Sequence, residues 1–164
     1  MFENLGVRKE MIADAVATYK EHYRDISTQK TLLLEGAKEA IQRAERFAKL
    51  GIVTTKTALY SKVLMEHFGV MHHFDVLIGR EDVEYPKPHP QPILKALEKF
   101  DTLNKEIWMI GDTKLDLISA KEANVNSIAV LSGYDTKETL QKFTKNIFSD
   151  VSQAVDFLHQ RSFK

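Results

Sequence analysis

Two carboxylates spaced one helical turn apart follow an apolar run in the segment IWMIGDTKLD, residues 107–116. The run ends at Gly111, Asp112 comes next, and Asp116 lies four positions further on. Side chains at positions i and i+4 share one face of a helix, and hard carboxylate oxygens are the ligands that Mg²⁺ prefers. The spacing therefore predicts a magnesium site. The alternative is structural, because an Asp here is also a common N-cap for a helix over residues 114–124.

Two further segments hold polar groups in positions suited to binding phosphate. In GIVTTKT, residues 51–57, an apolar run ends in Thr54 and Thr55, whose hydroxyls and neighbouring N–H groups could hold a phosphate oxygen or simply cap the next helix. In EYPKPHP, residues 84–90, prolines on both sides of Lys87 fix the backbone around it. Such a lysine either directs its ammonium group at one point or lies in a solvated turn.

These segments belong to a chain in which short apolar runs alternate with stretches of helical periodicity. The apolar runs lie at 52–54, 74–79, 107–111, 126–131 and 146–149, and the helical stretches at 58–69, 90–100, 114–124, 136–143 and 150–161. Regular alternation with runs this apolar predicts an α/β fold built on a parallel sheet. Because functional groups gather at the carboxyl ends of parallel strands, we expect Thr54, Lys87 and Asp112 to converge at one edge.

The first part of the chain does not join this alternation. Residues 7–25 show helical periodicity, and LLLEG at 32–36 separates them from a second helical stretch at 37–50. We therefore predict two parts, a helical piece over residues 1–30 and an α/β core over residues 31–164.

The bulk composition limits the classes of protein. The chain has 164 residues, 43% of them apolar, which is enough for one core of ordinary size. Lys plus Arg and Asp plus Glu are equal at 23 each, so neither nucleic acid nor an anionic membrane is expected as a partner. The absence of cysteine excludes thiol redox catalysis, and no apolar run approaches a membrane span. A cytoplasmic protein is the expectation.

The three segments together resemble the second, third and fourth motifs of the haloacid dehalogenase superfamily. The likeness lies in VTTKT, GREDVEYPKPHPQPILKALEKF and IWMIGDTKLDLISAKEANV, begins near Leu34, and is closest to phosphoglycolate phosphatases and pyrophosphate-cleaving relatives. It implies a Rossmann-like core, with residues 1–30 as the remnant of a helical cap. It also implies Mg²⁺-dependent hydrolysis of a small phosphorylated metabolite through an aspartyl-phosphate, with inorganic pyrophosphate as the alternative substrate.

The resemblance assigns a role to each matching position. Thr54 would bind an oxygen of the transferring phosphoryl group, with Thr55 beside it at a backbone-contact position. Lys87 would neutralise the charge of nucleophile and phosphate, and Asp112 would coordinate magnesium. Asp116 would support the metal or orient the lysine. Positioning and charge neutralisation carry most of the rate in phosphoryl transfer.

One family motif has no counterpart in this sequence. The family begins with an apolar strand ending in Asp-x-Asp, and no two aspartates here are separated by one residue. The family strand order makes this missing first strand the central one, flanked by 51–54 and 107–110. We therefore expect no activity from this chain alone. We also expect a homodimer, a strand exchange or a separate strand to fill the gap, unless the two halves of the sheet pair directly.

Two other functions compete with a phosphatase that lacks its nucleophile segment. The first is a noncatalytic remnant that binds a phosphate or a partner. The second is a receiver-like signalling domain, which also combines acidic residues, Thr and Lys on a parallel sheet. The position of the acidic cluster, after Lys87 and late in the chain, disfavours the receiver domain.

Overall fold

The structure, a computed structural model, describes residues 6, 8–102 and 105–162 and divides into two compact units, Met1–Leu32 and Leu33–Lys164. In the first unit, the short 3₁₀ helix Lys9–Met11 leads into helix α1, Ile12–Lys30. The helix predicted at residues 7–25 thus starts later and ends at Lys30, and its predicted first residue, Val7, lies outside the described residues.

The second unit alternates strands and helices as predicted. Helix α2 spans Ala37–Glu45 and ends before the predicted residue 50, because the chain turns away ahead of the first strand. The strands are β1 Gly51–Val53, β2 Val76–Ile78, β3 Trp108–Gly111, β4 Asn126–Val130 and β5 Ile147–Phe148. The remaining helices are α3 Ala58–His67, α4 Gln91–Leu97, α5 Lys114–Glu122, α6 Lys137–Leu140 and α7 Val151–Ser162. The predicted α/β class with parallel strands is confirmed.

The strands form two parallel sheets in the described part of the unit. Strand β1 pairs with β2, with Val53 opposite Ile78. The other sheet has the order β3-β4-β5, with Ile110 opposite Ile128. Strands β1 and β3 do not pair with each other over the described residues, so the expectation that the two halves close up directly is not met.

Strand β4 is the best-buried strand because helices cover both of its faces. Successive side chains on a strand point to opposite faces, so Ala129 packs with Leu117 and Leu140 on one side. Ile128 and Val130 pack with Ala154 on the other side. This two-sided burial explains why Ile128, Ala129 and Val130 form an uninterrupted apolar run in the strand.

A large cleft lies between the edges of the two sheets. It measures about 1150 Å³, and its walls include Gly51 and Val53 of β1 and Trp108 and Met109 of β3. Side chains of α4 and the residues after it, among them Ile93 and Phe100, also line the cleft. The cleft therefore lies between the two strands that the sequence predicts to flank the missing one.

No helix in the described ranges combines the length and the apolar content that crossing a bilayer requires.

Candidate functional site

Lys87 connects the carboxyl end of β1 to helix α5, which follows β3. Its Nζ donates to the backbone oxygen of Val53, the last residue of β1, at 2.9 Å, and to Oδ1 of Asp116 at 2.5 Å. Both charged side chains are buried, with 9% of the Lys87 side chain and 6% of the Asp116 side chain exposed. An ammonium group has three N–H donors, and these two partners account for two of them in the described part of the chain. The third donor has no partner among the described residues.

Asp116 is held from two sides. Its Oδ2 accepts from the backbone N–H of Thr113 at 3.1 Å and from the Thr113 hydroxyl at 2.8 Å, which forms a capping box at the start of α5. The N-cap of α5 is therefore Thr113, and the alternative interpretation, in which Asp112 caps this helix, is wrong. A Cβ at Gly111 would lie 2.3 Å from the Cβ of Asp116, so only glycine allows β3 this close to α5.

Asp112 follows β3 directly, and a turn from the end of β4 holds it. The backbone N–H of Tyr134 donates to Oδ2 of Asp112 at 3.0 Å, and the backbone N–H of Asp135 donates to the Asp112 backbone oxygen at 3.1 Å. The Asp135 carboxylate in turn accepts from the backbone N–H of Lys114 at 2.6 Å. The turn therefore fixes both the side chain of Asp112 and the start of the helix that follows it.

Thr54 follows β1, next to the carbonyl that Lys87 contacts. Its hydroxyl oxygen accepts from the backbone N–H of Lys56 at 3.1 Å, so its own O–H remains a donor for a ligand oxygen. Thr55 is exposed. Neither is the N-cap of α3, which is Thr57, so the helix-cap alternative for these two residues is wrong.

The first amide of α3 already has an anionic partner. Both carboxylate oxygens of Glu81 accept from the backbone N–H of Ala58, at 2.9 and 3.0 Å. A helix N-terminus attracts anions because its first N–H groups are unpaired, and here a side chain supplies the anion. The Ala58 amide is therefore already paired, and the predicted phosphate contacts at Thr54, Thr55 and Lys87 do not include it.

The charges at this edge favour a bound cation beside Asp112. The Lys87–Asp116 pair is neutral as a unit, and Asp112 and Asp135 add two carboxylates. A phosphate group would be repelled there unless a cation offset these charges. Asp112 offers carboxylate oxygens, and Mg²⁺ commonly binds through one or two carboxylates together with water and phosphate oxygens. The donor set therefore fits magnesium.

Three residues at this edge were not predicted from the sequence. Glu81 reaches α3 across 23 positions, and Gly133 and Tyr134 contact Asp112 across more than 20 positions. Gly133 and Tyr134 could have been found, because they follow the predicted strand at 126–131 and the carboxyl ends of parallel strands meet at one edge. Glu81 follows the predicted strand at 74–79, but nothing local indicates which helix it caps.

Comparison with known proteins gives a consistent family. The family model described as haloacid dehalogenase-like hydrolase matches residues 1–130. The chain is 33% identical over 122 residues to the pyrophosphatase PpaX of Halalkalibacterium halodurans, covering 74% of this chain and 57% of that protein. It is 29% identical over 132 residues to the phosphoglycolate phosphatase of Colwellia psychrerythraea, covering 79% of this chain and 58% of that protein.

A solved structure shows the same fold. A haloacid dehalogenase-like hydrolase from Streptococcus pneumoniae superposes with a TM-score of 0.75 at 22% identity, covering 93% of this chain and 72% of that one. The chain belongs to the haloacid dehalogenase-like hydrolase family, as the motifs predicted. The match to the family model begins upstream of Leu34, where the likeness was predicted to start. It spans about three fifths of the length of the curated relatives it matches.

Proposed function

We propose that this chain supplies the phosphate- and cation-binding part of a magnesium-dependent phosphatase that acts on a small phosphate ester. The observation that carries the proposal is the buried ammonium of Lys87, which joins the end of β1 to Asp116 and has a third N–H donor with no partner among the described residues. A buried, paired lysine at a sheet edge is suited to neutralise phosphate charge, because its partners hold its ammonium group in a fixed position. Within this proposal residues 1–30 are the remnant of a helical cap.

The proposed reaction is transfer of the phosphoryl group to an aspartate and then to water. A carboxylate oxygen of the first aspartate attacks phosphorus, the bond from phosphorus to the ester oxygen breaks, and the leaving alkoxide takes a proton from the second aspartate of the Asp-x-Asp pair. Water then gives a proton to the second aspartate and attacks the same phosphorus, which releases inorganic phosphate and restores the first carboxylate. In this scheme the Thr54 hydroxyl and the Thr55 region hold phosphoryl oxygens, and Lys87 neutralises charge that develops on them.

Asp112 would hold Mg²⁺, with Asp116 acting through Lys87. The ion, when bound, supplies positive charge to the phosphate oxygens. The carboxylate of Asp112 is half-buried at the carboxyl end of β3, and Tyr134 occupies only one of its two oxygens. Asp116 is fully engaged by Lys87 and Thr113, so its proposed part is to orient the lysine.

The attacking aspartate would come from a strand placed in the cleft between β1 and β3. The Val53 carbonyl points away from β2, since it accepts from Lys87, while the next amide, that of Thr54, donates to Ile78 in the neighbouring strand. Buried backbone groups without partners cost about 1 to 3 kcal/mol each, so several in one cleft would rival the roughly 5 to 15 kcal/mol that stabilises a domain. An extended segment there would satisfy them and would end beside Lys87.

Self-association follows from the same cleft. A second copy of the chain that exchanges an element into the cleft would cover the edges of β1 and β3, so we propose that the isolated chain forms a homodimer. Light scattering on the purified chain should give a dimer or larger species. A monodisperse monomer whose Val53 and Trp108 amides exchange freely with solvent would contradict this proposal.

The activity itself is tested with a generic phosphate ester and Mg²⁺. The 164-residue chain alone should show no measurable turnover. A fusion that adds an apolar strand ending in Asp-x-Asp should gain activity, and the matched fusion with Asn in place of the first Asp should not. Asp112→Asn in the active fusion should abolish the gain. If the unfused chain hydrolyses the ester and Asp112→Ala abolishes that activity, the nucleophile need not come from outside this sequence.

The substrate is proposed at the level of class. The relatives carry the names pyrophosphatase PpaX and phosphoglycolate phosphatase, and we propose a phosphoglycolate-like ester first and inorganic pyrophosphate second. Comparing kcat/KM for the two substrates in the active fusion decides between them. The expected location of this activity is the cytoplasm.

A noncatalytic binding protein is the second candidate. The observation that favours it is the absence of any Asp-x-Asp in the sequence. It predicts that inorganic phosphate binds the chain and that no Asp-x-Asp fusion creates turnover, so the fusion experiment separates the two functions.

A further inference from the structure

The turn that follows β4 lies against the side chain proposed to bind the cation. A Cβ built on Gly133 would lie 2.0 Å from Oδ2, 2.2 Å from Cβ and 2.4 Å from Cγ of Asp112. Contacts below 3.0 Å are essentially never seen for a real Cβ, so any side chain here would displace the carboxylate. Gly133 therefore lies directly against Cβ, Cγ and Oδ2 of Asp112.

The same turn also sets the direction of the carboxylate. The Tyr134 N–H donates to Oδ2 of Asp112, and the Asp135 N–H fixes the Asp112 backbone oxygen. The Asp135 carboxylate then ties the turn to the first amide of α5 at Lys114. These bonds hold the turn at both ends. The Tyr134 ring is 92% exposed, so it is the Tyr134 backbone rather than its ring that contacts Asp112.

We infer that Gly133 and the Tyr134 amide are positioning groups for the cation ligand. They hold Oδ2 of Asp112 and leave Oδ1 for a divalent cation. Groups that orient a metal ligand in this way commonly change metal affinity about 10- to 100-fold when they are lost. The inference rests on the proposed function, in which Asp112 is the cation ligand. It adds that the turn at Gly133 and Tyr134 orients this ligand.

The test measures metal binding directly on the full chain. Mn²⁺ serves as the probe, and its dissociation constant is read from the free-ion electron paramagnetic resonance signal. Gly133→Ala should weaken Mn²⁺ binding about tenfold or more. Gly133 lies outside the left-handed region, so alanine adds a methyl group there without straining the backbone. The exposed neighbour Ser132 provides the matched control, and Ser132→Ala should bind Mn²⁺ as the unchanged chain does.

Asp112→Asn separates failure of the inference from failure of the proposed cation site. Asp112→Asn should lose Mn²⁺ binding, because the charged ligand is gone. If Asp112→Asn loses binding while Gly133→Ala keeps it, the positioning inference is overturned and the cation site stands. If Asp112→Asn binds as well as the unchanged chain, the cation site itself is overturned.

Hydrogen exchange provides a measurement that does not depend on the folding of Gly133→Ala. The Tyr134 amide should exchange slowly in the unchanged chain and in Asp112→Asn, where an oxygen acceptor remains. It should exchange faster in Asp112→Ala, where the acceptor is removed. A Tyr134 amide that exchanges at the same rate in the unchanged chain and in Asp112→Ala would overturn the inference.

Discussion

Replacing Lys87 with methionine should destabilise the chain strongly, because it leaves a buried carboxylate without its cation. The Lys87 and Asp116 side chains are only 9% and 6% exposed, and their charged atoms are 2.5 Å apart. Removing one partner of a buried ion pair costs about 3 to 5 kcal/mol. Asp116 keeps two hydrogen bonds from Thr113, so we expect the lower end, about 3 kcal/mol. Methionine retains the length and apolar stem of the lysine, which limits any packing loss.

A double-mutant cycle isolates the pair. Asp116→Ala removes both the ion pair and the capping box of α5, which adds about 1 kcal/mol and gives a loss of about 4 kcal/mol. The double variant buries no unpaired charge, so its loss should fall about 2 to 3 kcal/mol short of the sum of the single losses. Each single loss is a large fraction of the roughly 5 to 15 kcal/mol that stabilises an ordinary domain.

Urea unfolding followed by far-ultraviolet circular dichroism at neutral pH, without added Mg²⁺, measures these changes. The control is Lys62→Met, because Lys62 pairs with Glu66 at 3.8 Å on an exposed helix face and should change stability by at most about 0.5 kcal/mol. The reasoning is refuted if Lys87→Met costs no more than Lys62→Met, or if the two losses at Lys87 and Asp116 simply add.

Two further predictions concern the surroundings of the site and the last helix. Gly79→Ala should lower the free energy of unfolding by about 1 to 3 kcal/mol, because a Cβ there would lie 2.2 Å from the backbone nitrogen of Ala58 at the start of α3. An unchanged midpoint of urea unfolding would contradict this prediction. The hydroxyl of Ser149, together with the Gln153 amide, holds the pKa of Asp150 below its ordinary value, so Ser149→Ala should raise that pKa. A carboxyl group whose pKa is lowered in the folded state stabilises the fold at pH values above its unfolded-state pKa, and this stabilisation is lost as the pH falls through the folded-state pKa. The unchanged chain should therefore be more stable than Ser149→Ala at neutral pH, and the two stabilities should converge in acid. A nuclear magnetic resonance titration of Asp150 that gives the same midpoint for both chains would exclude the hydroxyl as the cause.

The helices and strands could be predicted largely from the sequence because their causes are local. The apolar runs at 107–111 and 126–131 became β3 and β4, since runs of that length between helical stretches fit a sheet covered on both faces. The boundaries of two helices differ from the prediction. Helix α1 continues to Lys30 and α2 stops at Glu45, because helix ends depend on neighbouring contacts as much as on periodicity.

Part of the site could likewise be predicted. Thr54, Lys87, Asp112 and Asp116 were named from strand ends and spacing, and the structure joins Lys87 to Asp116 and to the carbonyl next to Thr54. Which residue caps α5 was not predicted, although the Thr113-x-x-Asp116 spacing is a local capping pattern. The roles assigned to the four residues stay predictions.

The sequence by itself determined the order of the elements, the parallel α/β class and the residues that end its strands, because periodicity and turn chemistry act over a few positions. Only the tertiary structure decided which groups meet: Glu81 at the first amide of α3, Gly133 against Asp112, and a cleft rather than a ladder between β1 and β3. These contacts join residues more than 20 positions apart. Their geometry is set by how the helices pack the two sheets. Periodicity places Gly133 at the end of a strand, but it does not determine which side chain Gly133 contacts.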